Sequence, residues 1–87
     1  MPKFKSKVVE IEAMQFLTPL SGQEIMHWAD QFDVSIIMNH DDQETCLKIP
    51  TLEGQMRAGP GDWVIRGTEN EFYPCKDSVF QRKYEPA

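Results

Sequence analysis

The four residues Gly59-Pro60-Gly61-Asp62 constrain this chain more than any other stretch. Pro60 presets φ for the first central position of a β-turn, and Gly61 supplies the positive φ that a type II turn requires at the second. Trp63-Val64-Ile65-Arg66 leaves the turn as an apolar, β-branched run closed by Gly67, and Glu71 to Cys75 (EFYPC) has the same character. With Thr68-Glu69-Asn70 between them, these two runs are predicted to pair antiparallel.

Similar patterns extend the reading upstream. Residues 3–16 read as an extended strand, with Val9, Ile11 and Ala13 alternating with Glu10 and Glu12 until Thr18-Pro19 ends it. Ser21 and Glu24 have the spacing of a capping box, and Leu20 and Ile25 that of a hydrophobic staple. Ile25, Trp28, Ala29 and Phe32 then recur at i, i+3, i+4 and i+7, which predicts a helix over 22–32. Val34 to Met38 reads as a short strand and Asn39 to Asp42 as a loop or hairpin tip. Thr45 to Pro50 reads as a strand with Cys46 and Lys48 on one side and Leu47 and Ile49 on the other. Glu53-Gly54 marks a turn before a short strand, Gln55 to Ala58. Asp77 is expected to cap a last helix over 78–84, with Val79, Phe80 and Lys83 on one face. The predicted class is α+β: a curved antiparallel sheet packed by one central helix (about 22–32), with a short C-terminal helix (about 78–84).

The chain has 87 residues, which fits a single domain, 1–87. Its 40% hydrophobic and 26% charged residues are those of a folded rather than a disordered chain. A domain of this size buries only about 60–65% of the surface its open chain exposes, so a homo-oligomer that completes the core is expected. No run of 18 apolar residues occurs, and Lys3, Lys5 and Lys7 are not followed by a signal-peptide apolar region. The two cysteines are too few for a disulfide scaffold, so a reducing cytoplasm is the expected setting. The net charge of -5 argues against general nucleic-acid binding, which requires a basic face, and no membrane partner is expected.

Catalytic chemistry requires convergent groups, and the candidates are poor. His27 lies on the polar side of the predicted helix and reads as a solvated histidine. His40 sits among Asp41, Asp42 and Glu44, a set without the ordered spacing or the glycine of a calcium loop. Cys46 and Cys75 lack a zinc-type spacing, and no serine has a nucleophile-elbow context. No enzyme, no metal and no cofactor is expected. The glycines form neither dinucleotide nor P-loop spacing. The GPGD stretch could offer backbone N–H groups to an anion as a nest, although turn geometry alone accounts for its glycines.

The aromatics and cations are more informative. Trp63, Arg66, Tyr73 and Lys76, with Arg57 entering the turn, could present stacking and cationic groups to a nucleobase and phosphate. The plainer reading makes Trp63 and Tyr73 core or interface aromatics and lets Arg66 snorkel. Lys3, Lys5 and Lys7 share the parity of Val9, Ile11 and Ala13, and a charged start blunts an edge strand. Gln15 is a polar group on that same inward parity. It either bonds the backbone of a neighbouring strand or lines a pocket.

The stretch IPTLEGQMRAGPGDWVIRGTENEFYPCKDSVFQRKYEP, Ile49 to Pro86, resembles a family of small proteins encoded by tailed phages and prophages. The family signature is an IPTLEG hairpin, PGDW or PGDY before an apolar strand and glycine, then EFYPCK and a terminal F…YEP. Lys5, Lys7, Val8, Val9, Ile11-Glu12-Ala13 and Gln15-Phe16 match its N-terminus, and 18–44 corresponds to its variable middle. The resemblance implies a phage origin and action in the host bacterial cytoplasm, with no residue-level role. Small oligomeric phage proteins without catalytic groups include sponges, which sequester cyclic nucleotide or ADP-ribose-derived signals of bacterial antiphage defence. This chain is similar to that class in size and in having no active site, so a non-catalytic sponge for a cyclic nucleotide is the expected function. Its ligand-binding set would be Trp63, Arg66, Tyr73, Lys76, Gln15 and Arg57. The alternative is a phage accessory protein that docks on a host or virion protein and ignores nucleotides. An exposed apolar patch would mark it.

Overall fold

A computed structural model describes residues 11–41 and 44–84. They form β1 (Glu12–Gln15), α1 (Pro19–Asp30), β2 (Ile37–Asp41), β3 (Glu44–Thr51), β4 (Gly54–Ala58), β5 (Trp63–Arg66), β6 (Phe72–Cys75) and α2 (Asp77–Lys83). The strands make two antiparallel three-stranded sheets, ordered β1-β5-β6 and β2-β3-β4, which do not close on one another. The α+β class stands, with two sheets in place of the expected single curved one. The GPGD turn explains the division. It carries the chain from β4 into the other sheet, and its Gly61 N–H and Asp62 carbonyl bond to Phe16 at the end of β1 (2.7 and 2.9 Å).

The turn itself is type II, as predicted: Asp62 N–H bonds the Gly59 carbonyl at 3.0 Å, and Gly61 has φ +93°. The residues 3–10 of the expected first strand lie outside the described residues, and β1 covers its end. β2 begins three residues later than predicted and includes Asn39 and His40, which pair with Cys46 and Thr45. Polar residues hold a strand here because the ladder to β3 satisfies their backbone groups.

The central helix starts earlier than its apolar period suggested. Thr18 is the N-cap, accepting from Ser21 N–H at 3.2 Å, while Ser21 Oγ accepts from Thr18 N–H at 2.9 Å. The capping box is therefore Thr18/Ser21, not Ser21/Glu24. Pro19 decides this. At the first helical position its missing N–H costs nothing, since that donor would have no helical partner anyway. Leu20 is consequently within the helix and 65% exposed, not a staple. At the other end Asp33 N–H bonds the Asp30 carbonyl and Val34 N–H the Ala29 carbonyl (both 3.1 Å), with Asp33 at φ 62°. This closure turns Phe32 back over the core, past the end of the helix.

Direct cross-strand partners share a face. In the first sheet Met14, Val64 and Phe72 face inward, and in the second Leu47, Ile49 and Ala58 do. Ile25 and Ala29 of α1 complete the core. Fully burying a valine, leucine, isoleucine or phenylalanine side chain, as at Val64, Leu47, Ile49, Ile25 and Phe72, contributes about 1.5–3 kcal/mol each. Trp28 meets the Phe72 ring edge-on at 5.0 Å, and Phe32 approaches it at 6.0 Å.

Candidate functional site

The sheet registers decide which expected site residues meet. Gln15 lies opposite Trp63, and Ile65 opposite Tyr73, so Gln15, Trp63 and Tyr73 share the outer face of the first sheet. Arg66 has the other parity and lies on the inner face with Phe72. Its guanidinium bonds Glu12 at 2.9 Å and Asn70, and sits 4.4 Å from the Phe32 ring centroid. Arg57 is on the other sheet, bound to Glu44 at 2.6 Å, and that hydrogen bond raises its pKa. Lys76 is the exposed residue that precedes α2. The six residues therefore do not form one cluster.

Trp63 and Gln15 do come together, around Asp77. Trp63 Nε1 donates to Asp77 Oδ1 at 2.8 Å, and the indole stacks on Phe80 at 4.0 Å with 8° between the planes. Gln81 Nε2 donates to the same carboxylate oxygen at 3.2 Å. These bonds, the indole first, hold the Asp77 carboxyl below the ordinary carboxylate range. The expected role of Asp77 as cap is corrected here: Lys76 is the N-cap position and no side chain caps α2. The inward parity expected of Gln15 is corrected, since the register puts Met14 inward; Gln15 Nε2 donates from the outer face to the Gly61 carbonyl of the turn at 3.0 Å, bonding backbone but not that of a strand.

Backbone donors of the GPGD turn are all engaged. Gly61 N–H goes to Phe16, Asp62 N–H to Gly59, and Gly59 N–H to the Asp62 carboxylate at 2.9 Å; Pro60 has none. No anion nest is left. His27 and His40 are exposed beside Gln31 and Thr45. Among the described residues no group of three His, Cys, Asp or Glu side chains could hold a metal ion. No helix there is long and apolar enough to cross a membrane.

An apolar concavity lies elsewhere. An open groove of about 730 Å³ runs between the β3–β4 hairpin, β6 and the segment after α1. Val34, Pro50, Met56, Phe72, Tyr73 and Pro74 supply its apolar lining, and Asp33, Glu53 and Glu71 its acidic groups. Leu52, at the hairpin tip, is fully exposed (103%), and Met56 is 40% exposed. Tyr73 alone of the expected site residues lines it. Burial, followed by the neighbouring Tyr84, pushes the Tyr73 hydroxyl up to about 12.

The sequence holds one signal for this groove. Leu52 sits in the turn Thr51-Leu52-Glu53-Gly54, where Thr51 Oγ1 closes the loop on the Gly54 carbonyl at 2.5 Å and Gly54 has φ 112°. A turn so well specified has no need of a large apolar residue at its tip. Comparison of the chain with protein-family models, curated proteins and solved structures finds no match.

Proposed function

We propose that this is a non-catalytic interaction protein that docks on a partner protein through the groove between the β3–β4 hairpin and β6. The observation that carries the reading is Leu52, fully exposed beside half-exposed Met56 at the mouth of an apolar groove. A small domain loses free energy by leaving such side chains in water, and a patch of this kind is the mark of a docking surface. The acidic lining suits a protein better than an anionic messenger: among the described residues no Lys or Arg lines the groove, and phosphates would meet Asp33, Glu53 and Glu71. The setting proposed is the cytoplasm of an infected bacterium, which rests on the resemblance to phage-encoded proteins.

Sequestration of a cyclic nucleotide is the second reading, and one edge of the molecule favours it. Phe80 and Tyr84 continue the Trp63 stack, with ring centroids 5.0 Å apart. Lys83 lies beside the last ring, its Nζ 5.8 Å from the Tyr84 centroid, and makes no ion pair among the described residues. Aromatic faces beside a cation are what a nucleotide requires.

One experiment separates the two. A photoreactive amino acid is placed at Leu52 or, as control, at Gln81, and the protein is irradiated in infected cells. Native mass spectra are recorded in parallel with a panel of cyclic di- and trinucleotides. Docking is expected to give a discrete protein adduct from Leu52 and none from Gln81, with no nucleotide mass gained. Equal adducts from both positions together with a gain of nucleotide mass would replace docking by sequestration.

A further inference from the structure

Resting on the docking reading, we propose that the groove receives a partner segment carrying a large apolar side chain flanked by lysine or arginine, and that it recognises this segment through side chains rather than by adding it as a strand. The first support is charge. Asp33, Glu53 and Glu71 come from three separate parts of the chain, yet all line this groove, and among the described residues no basic one does. Only one of these carboxylates has a local backbone role: Glu71 Oε1 accepts from Glu69 N–H at 2.9 Å. A basic flank would meet all three, while an acidic one would be repelled.

The second support is the edge of β6. Gly67 N–H bonds the Glu71 carbonyl at 2.8 Å, so in antiparallel alternation Tyr73 and Cys75 also turn their backbone groups toward β5. Phe72 and Pro74 are left facing the open edge, where no strand pairs with β6 among the described residues. Proline has no N–H to give there, which removes a donor that an added strand would need. What remains attractive is the apolar lining, with room in about 730 Å³ for an anchoring side chain.

The test titrates the isotope-labelled full chain with three synthetic peptides, read from backbone amide shifts. The first is acetyl-Lys-Leu-Lys-Phe-Lys-amide, the second has Glu in place of each Lys, and the third is the first with alternate backbone nitrogens methylated. The basic peptide is expected to shift Leu52, Glu53, Met56 and Tyr73, and the acidic one to bind at least about tenfold more weakly. The methylated peptide should stay within about twofold of the first, because no ladder is formed. Glu53→Gln combined with Glu71→Gln, which removes both charges but leaves each side chain one amide oxygen able to accept, as Glu71 does from Glu69 N–H, should weaken the basic peptide about fivefold. Equal binding of acidic and basic peptides, binding lost on methylation, or no shifts from any of them would overturn the proposal. Docking itself is judged separately: a discrete Leu52 adduct alongside any of these failures would leave the docking surface standing and remove only its proposed occupant.

Discussion

The Trp63 indole N–H donates to Asp77 Oδ1 at 2.8 Å while the same ring lies flat against Phe80 at 4.0 Å. One residue thus joins the first sheet to both the first and fourth positions of α2. No residue of α2 is buried, so the helix depends on these few contacts with the sheet for its place.

Removing the carboxylate should loosen α2 without unfolding the core. With Asp77→Ala, the Phe80 and Tyr84 amides, which bond the Lys76 and Phe80 carbonyls, are expected to exchange several-fold faster with solvent. Acid should act in the same direction. The Asp77 carboxyl is held below the ordinary carboxylate range, so its contribution is present above the unfolded value and lost as pH falls through the folded one. Trp63 emission, followed in a Trp28→Phe background, should change at a pH below that ordinary range and should not do so in Asp77→Asn. An unchanged titration in the Asn variant would remove Asp77 as the cause.

Tyr73 makes the opposite case at high pH. Its hydroxyl is pushed up to about 12, burial leading, so the neutral form is favoured in the fold. The resulting stability is present below the ordinary tyrosine value and declines as pH rises toward 12. Ultraviolet titration should show one of the two tyrosines ionising near 12, and Tyr73→Phe should abolish that phase.

Two backbone positions with positive φ should respond with opposite signs. At Gly61 (φ +93°) an added Cβ meets nothing within 4 Å, so Gly61→Ala is a pure conformational penalty of about 1–3 kcal/mol. At Asp33 (φ 62°) an ordinary residue already occupies the left-handed region, and Asp33→Gly should stabilise by about 0.5–1 kcal/mol. Urea denaturation measures both. A neutral Gly61→Ala would contradict the type II turn.

Gly22 is held small by packing, not by φ. A Cβ there would come within 2.5 Å of Met38 Cε and 2.9 Å of Phe16 Cε1. The helix would gain about 1 kcal/mol from alanine, but overpacking against buried Phe16 costs about 1–3 kcal/mol. Gly22→Ala should therefore lower Tm, and Met38→Ala in the same chain should recover part of the loss.

What could be read from the residues was whatever neighbours in sequence enforce. The Pro60-Gly61 pair specifies a type II turn through φ alone, and the alternation of Leu47 and Ile49 with Cys46 and Lys48 places β3 correctly. The apolar period of Ile25, Trp28 and Ala29 locates α1, though its start was misplaced because Pro19 favours Thr18 as the cap. The sharing of faces by Gln15 with Trp63, the exclusion of Arg66 from that face, and the groove beside Leu52 depend on strand register. A shift of one residue in pairing exchanges every side chain between faces, and the pairing that fixes it joins residues as far apart as Glu12 and Arg66. No local pattern encodes such pairing, because it exists only once both sheets have packed on the same core.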